Sequence, residues 1–290
     1  MKTLTAIAAA MVLFALVTPA RGGLIWYSSE TAGPGQWSHL YTIDTASGAI
    51  VDRGVIHEQR YITDLAMADD GTLYGVGWAN AYANSTSKLY TIAPGSASTW
   101  AEADNVSVHA NQMDRQVNSA VMLGGDLYVA SMDGTFQKLV KDDKKGWMVD
   151  ESDNMGYSIG GDLAFSADGS KLYVALDGGR LGTVNFDTTS HNFGKVSVIG
   201  NTGYSQLYGL AYVDGALWAT TNDSSNYAIS KLVRLDERTG QGVDVYNLGV
   251  PVWGIAANSN VAVPEPMSLA LLAGGSLLLL ARRAPKGLTV

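Results

Sequence analysis

Four stretches of the chain repeat one short phrase, and the spacing of that phrase limits the fold more than any single motif does. TDLAMADDGTLYGVGW begins at Thr63, NSAVMLGGDLYVASM at Asn118, GDLAFSADGSKLYVAL at Gly161 and YGLAYVDGALWATTN at Tyr208. Each reads as an apolar strand, a tight turn containing Asp-Gly or Gly-Gly, and a second strand opening on Leu-Tyr or Leu-Trp. Glycine accepts positive φ without a Cβ penalty, so such a pair between apolar runs marks a β-hairpin. With Leu73, Leu127, Leu172 and Leu217 as markers, the spacings are 54, 45 and 45 residues. A recurrence of this length matches one four-stranded propeller blade per repeat.

A second hairpin follows the first in most units. HLYTIDTASGAIVDRGVI from His39 and KLVRLDERTGQGVDVYNLG from Lys231 share a strand, Asp-x-x-(Ser/Thr)-Gly and another strand. The aspartate can bond the turn amides, and the glycine takes the left-handed position. LGTVNFDTTSHNFGKVSVIG from Leu181 is a looser version, and Leu139 to Val149 turns through KDDKKG. The body opens at Leu24 with what reads as strand two of a blade, and VWGIAAN from Val252 supplies a leftover first strand. Joined, these ends complete a blade and close the ring, which leaves only short protected edges. The expectation is all-β: a five-bladed β-propeller closed by both termini. A sixth blade would have to fit between Ala79 and Val117, a stretch too short to hold one. A β-sandwich would not explain the recurrence.

The two ends of the chain do not belong to this pattern. MKTLTAIAAAMVLFALVTPA has a basic start at Lys2, an apolar run and small residues at its end, the anatomy of a secretory signal peptide cleaved after Ala20. At the other end, Met267 to Ala281 is an uncharged stretch that would span about 22 Å as a helix, short of a ~30 Å hydrocarbon core. Arg282 and Arg283 follow it, and basic residues beside a span stay in the cytoplasm. The expected organisation is therefore a signal peptide at 1–20, a propeller at 21–262 and a tail at 263–290 with a membrane helix over about 267–281.

Val263-Pro264-Glu265-Pro266, then the apolar helix, then the arginine pair, resembles the PEP-CTERM sorting signal. The resemblance covers only the tail. It implies recognition of Pro264, Glu265 and Pro266 by an exosortase, a membrane transpeptidase, with Arg282 and Arg283 as the cytoplasmic stop. It also implies export, transient membrane insertion, and release to the cell surface or beyond. One departure is that APKGLTV trails the arginines, where the family ends sooner.

Composition narrows the function. The chain carries a net charge of −8, from 19 basic and 27 acidic residues. Removing both ends takes away four basic residues and one acidic residue, leaving 15 and 26, a charge of −11 for the body. That argues against nucleic-acid binding, which needs a basic footprint. There is no cysteine, so disulfides and thiolate metal sites are excluded.

Chemistry on a propeller is expected where the innermost strands meet. Asp64 and Asp162 take equivalent places on those strands, where Ser119, Gly209 and Gly254 stand in the other blades. Two carboxylates there could act as acid and base or hold a hard cation, although an aspartate bonding backbone amides explains them more simply. A glycosidase needs a paired acid flanking the sugar bond. Glu58, Glu102, Glu151 and Glu237 all fall in outer strands or loops by this register. The histidines His39, His57, His109 and His191 have no metal-ligand spacing. Only His109, in the loop SVHANQMDRQ, could reach the channel mouth with the two aspartates. No nucleophile elbow or phosphate-binding loop occurs. The exposed aromatics Trp37, Trp78, Trp100, Trp147 and Trp218 exceed what turns need. Trp78 and Trp100 are candidates for a binding rim, whereas Trp218 and Trp253 lie in strands and read as core.

No catalytic set, metal or cofactor is therefore assigned. The expected function is a non-enzymatic binding or scaffold module of the envelope or extracellular matrix. Its expected partners are the sorting enzyme and exopolysaccharide or envelope proteins. The rival readings are a polysaccharide lyase or hydrolase working at the channel mouth, and a purely structural surface-layer component.

Overall fold

In the computed structural model, residues 22–30, 38–57, 61–78, 87–92, 100–102, 116–223 and 226–257 are described. They lie within one compact unit, Gly22–Asn260. In chain order, β1 (Leu24–Glu30), β2 (Ser38–Asp44) and β3 (Ile50–His57) come first. Then follow β4 (Tyr61–Met67), β5 (Leu73–Trp78), β6 (Ser87–Ile92) and β7 (Trp100–Glu102). The next group is β8 (Val117–Leu123), β9 (Asp126–Ser131), β10 (Thr135–Asp142) and β11 (Gly146–Asn154). After it come β12 (Ile159–Phe165), β13 (Leu172–Leu176), β14 (Arg180–Val184) and β15 (Val196–Asn201). The last are β16 (Gly209–Val213), β17 (Ala216–Asp223), β18 (Asn226–Leu235), β19 (Gly242–Asn247) and β20 (Val252–Ala257).

These form five four-stranded antiparallel sheets, four of them consecutive in sequence and the fifth ordered β20-β1-β2-β3. The architecture is the five-bladed propeller that the repeat predicts, and the closing blade takes its innermost strand from the C-terminal side. Ile25 pairs with Ala257 and Tyr27 with Ile255. Among the described residues no helix is long and apolar enough to cross a membrane. The proposed signal peptide and tail, including Ala20, Pro264, Glu265, Pro266, Arg282 and Arg283, lie outside the described residues.

The hairpin turns follow the local sequence. Gly124-Gly125 and Asp214-Gly215 make two-residue turns in which both residues have positive φ, the geometry that suits strand twist. Asp70-Gly71 and Asp168-Gly169 sit in longer loops, closed by Gly71 N to Ala68 O and Gly169 N to Ser166 O, each 2.9 Å. In the outer hairpins Asp44 Oδ1 accepts from the amides of Ala46 and Ser47, and Asp236 Oδ1 from those of Arg238 and Thr239. Gly48 and Gly240 take the left-handed positions. Asp142 repeats the pattern in KDDKKG.

Each blade packs both faces against a neighbour, so its middle strands read as unbroken apolar runs. LYVAL of β13 is buried throughout. Five apolar clusters result, one per interface between blades. No residue of the outermost strands β15 and β19 is buried. Three interfaces share a polar joint. The hydroxyls of Ser38, Ser87 and Ser230, on the third strand of a blade, accept the first amides of the next innermost strand: Ile62 N at 3.1 Å, Val117 N at 2.9 Å and Val252 N at 2.8 Å.

Candidate functional site

The innermost strands β4, β8, β12, β16 and β20 pair on one side only, so their free edges point at the channel axis. At the same height four of them slip register against their partner: between Ile62 and Asp64, Val117 and Ser119, Ile159 and Leu163, and Val252 and Ile255. An inserted residue bends a strand and re-aims the side chains beside it. These four bulges sit at the equivalent positions Asp64, Ser119, Asp162 and Gly254, with Gly209 in the same place at the start of the regular strand β16, and they turn the two aspartates onto the axis.

The amides that follow these positions point inward, and those of Ala120, Leu163 and Leu210 hydrogen-bond the two carboxyls. Ala120 N donates to Asp64 Oδ2 at 2.5 Å, and the Leu65 amide lies on the same carboxyl's side and favours its charged form. Leu163 N donates to Asp162 Oδ1 at 2.6 Å and Leu210 N to its Oδ2 at 2.9 Å, and the nearby Ile255 amide also favours its charged form. A closed ring of free edges would otherwise bury these donors without partners, at about 1–3 kcal/mol each. The two side chains thus tie β8 to β4 and β16 to β12 around the axis.

Both aspartates have zero exposure, and their carboxyls hydrogen-bond to each other. Two ionised carboxylates cannot share so small a dry space, so one proton must stay. Asp64 Oδ1 receives no donor from the described residues, whereas both oxygens of Asp162 accept amides. The proton therefore belongs on Asp64, donated towards Asp162. Burial, then the neighbouring carboxyl, pushes Asp64 well above the ordinary carboxylate range. Burial raises Asp162 too, against the opposing pull of Asp64 and its amide donors. A Cβ on Gly254 would overlap Asp64 Oδ1 and Cα, so only glycine fits beneath the pair.

Beyond the carboxyls, towards the hairpin turns after the innermost strands, the channel holds a cavity of about 30 Å³ lined by Leu65, Met67, Ala120, Met122, Phe165 and Tyr212. That is room for about two waters. Tyr212, which lines it, and Tyr173 both donate to Glu237, the Tyr212 bond being 3.1 Å, and the two rings stack with centroids 6.4 Å apart. Burial, then the Glu237 carboxylate, raises both phenols, so they stay protonated donors.

Asp64 and Asp162 therefore meet inside the channel and not on a solvent-lined mouth. His109 and Glu58 lie outside the described residues. His39 stands in β2 with Nδ1 3.7 Å from Asp52. His57 ends β3, and His191 lies in the loop between β14 and β15. Glu151 falls on outer strand β11, and Glu237 in the β18–β19 turn. Trp78 closes β5 and Trp100 opens β7, but their side chains are outside the described residues. Two tryptophans depart from expectation. Trp147 is buried, edge-on to Tyr74 at 6.1 Å, because its blade packs on both faces. Trp253, read as core, is 37% exposed, because the bulge turns it out of the alternation of β20. Among the described residues no three His, Cys, Asp or Glu side chains gather as metal ligands. The inward amides present donors, the wrong polarity for a cation.

No protein-family model matches this chain, and no curated protein does. Solved structures match in overall arrangement. TolB from Acinetobacter baumannii aligns over 79% of this chain and 53% of its own length, at 16% identity and a TM-score of 0.46. The chain thus spans about half the length of that relative. A protein of unknown function from Bacteroides caccae aligns over 81% of this chain and 98% of its own, at 12% identity and TM-score 0.46. A Bacteroides fragilis protein described as a candidate 6-phosphogluconolactonase aligns over 80% and 82%, at 11% identity and TM-score 0.44. Likeness at this level carries nothing about activity.

Proposed function

We propose that this chain is an exported propeller, sorted through its tail by an exosortase-type enzyme, that works in the cell envelope or extracellular matrix as a non-enzymatic binding and scaffold module. Exopolysaccharide is its proposed partner. The sorting half rests on Pro264, Glu265 and Pro266 ahead of an apolar stretch and Arg282-Arg283. The non-enzymatic half is carried by one observation: the two channel aspartates are wholly buried and bonded to backbone amides and to each other. General acid–base work requires reach to a substrate, and a sugar unit is far larger than the cavity beside the pair.

Two measurements test the halves separately. In the host, the mature protein should lack both ends by intact mass, and changing Pro264 and Pro266 to alanine should leave a longer form in the membrane fraction. If both versions reach the surface at one mass, the sorting role is wrong. Incubation with the host's extracellular polysaccharide, followed by light scattering on a sizing column, should show unchanged polymer carrying protein. A falling polymer mass would instead make the chain a lyase or hydrolase.

A further inference from the structure

Gly22 and Gly23 lie in the seam where the ring closes, between the β16–β17 turn of the last blade and the β2–β3 turn of the closing one. Gly23 N donates to Asp214 Oδ2 in the first of these turns. Its carbonyl accepts from the second, from Thr45 N at 3.0 Å and Thr45 Oγ1 at 3.2 Å. Thr45 Oγ1 also reaches Asp214 Oδ2 at 2.8 Å. Tyr246 on β19 ties the same turn down, donating to Thr45 O at 3.0 Å and Ala46 O at 3.2 Å. Space is as tight as the bonding. A Cβ on Gly23 would overlap Val213 Cγ2, and one on Gly22 would overlap Ala46 N. The two glycines are nevertheless held differently, because among the described residues no hydrogen bond reaches Gly22. Asp214 is exposed, and among the described residues no lysine, arginine or histidine pairs with it.

An export leader is cut where small residues stand first and third before the bond. Two bonds meet that need: Ala20–Arg21, behind Thr18 and Ala20, and Gly22–Gly23, behind Ala20 and Gly22. The seam distinguishes them. We propose that the leader is cut between Gly22 and Gly23, two residues past the bond expected from sequence, and that the Gly23 ammonium so released pairs with Asp214. Water adds across the peptide bond, leaving a carboxylate on the departing Gly22 and an amine on Gly23 that takes up a proton near neutral pH. The neutral N–H bond to Asp214 then becomes an ion pair at the same atom, and charge-assisted bonds are the stronger kind. Cutting after Ala20 would leave Gly22 pressed on Ala46 and put the positive terminus two residues away from the carboxylate. The inference rests on the export reading above and fixes the bond at which the leader departs.

N-terminal sequencing and intact mass of the protein recovered from its host read that bond directly. The expected start is Gly-Leu-Ile-Trp-Tyr, from Gly23. A start at Arg21, or at any other residue of the body, overturns the assignment and leaves export standing. A chain that keeps its leader sinks the export reading, and this one falls with it. The ion pair is tested in the mature protein by Asp214→Asn, which keeps an acceptor for Gly23 without the charge and tolerates the positive φ of this turn position. It should lower the melting midpoint by about 2–4 °C at low salt. The gap should close in about 1 M sodium chloride, which screens an exposed pair. No gap at low salt, or a gap that salt leaves unchanged, means that the amine does not sit on Asp214.

Discussion

The two channel aspartates look alike in sequence but differ in their surroundings, and the difference predicts unequal responses to the same change. At Asp64 an amide side chain would keep an oxygen for Ala120 N and offer its NH₂ to Asp162. At Asp162 the NH₂ would face an incoming backbone N–H, because both oxygens already accept one. Asp64→Asn should therefore stay within about 1 kcal/mol of the parent in urea melts near neutral pH, while Asp162→Asn should lose about 3 kcal/mol. Equal losses would place the proton wrongly. The pair also sets the pH response. Its folded pKa values are raised, so above about pH 4 the folded chain holds a proton that the unfolded chain releases. Stability from this source is full at low pH and falls as pH rises, by up to about 1.4 kcal/mol per pH unit per retained proton. Asp64→Asn has nothing to release there and should flatten the slope. Gly254→Ala should cost about 3 kcal/mol, since the added methyl has no space beside Asp64.

Elements carry a different lesson, about what can be read from the chain and what cannot. The hairpins were legible because Asp-Gly and Gly-Gly turns announce themselves, and the equivalence of Asp64, Ser119, Asp162, Gly209 and Gly254 followed from aligning them. The bulges were not legible. A strand with one inserted residue keeps its apolar composition, so alternation through IGGDLAF or VNSAVML gives no sign of the slip. That is why the aspartates could be placed on the right strands but not at the right depth, and why Trp253 read as core. The inward amides carry no side-chain signature at all. The serine joints are a testable element-scale feature. Ser230→Ala removes the acceptor for Val252 N and the partner of Asn222 in a buried position. It should cost about 1–3 kcal/mol by thermal or urea melting, while Ser47→Ala, in an exposed turn, should cost well under 1 kcal/mol.

For the whole molecule, the ring is one cooperative object because every interface is apolar and the last is closed by β20. A chain ending at Val250 would lack that strand and expose Tyr27, Ile62 and Leu65, which lie against it and are buried in the intact ring. Such a chain should show no cooperative thermal transition, and a normal melt would mean that closure contributes little. Closure also sets an order in time. Ile25 pairs with Ala257, nearly the full length of the ring away along the chain. Contacts that span so much sequence form late, because the loop between them must be ordered first. The four blades that are consecutive in sequence can assemble as their residues emerge, but β1 must wait with one edge bare until the final strand arrives. During that interval the nascent chain presents an unpaired apolar edge, so its dependence on chaperones should concentrate in the last moments of synthesis and folding.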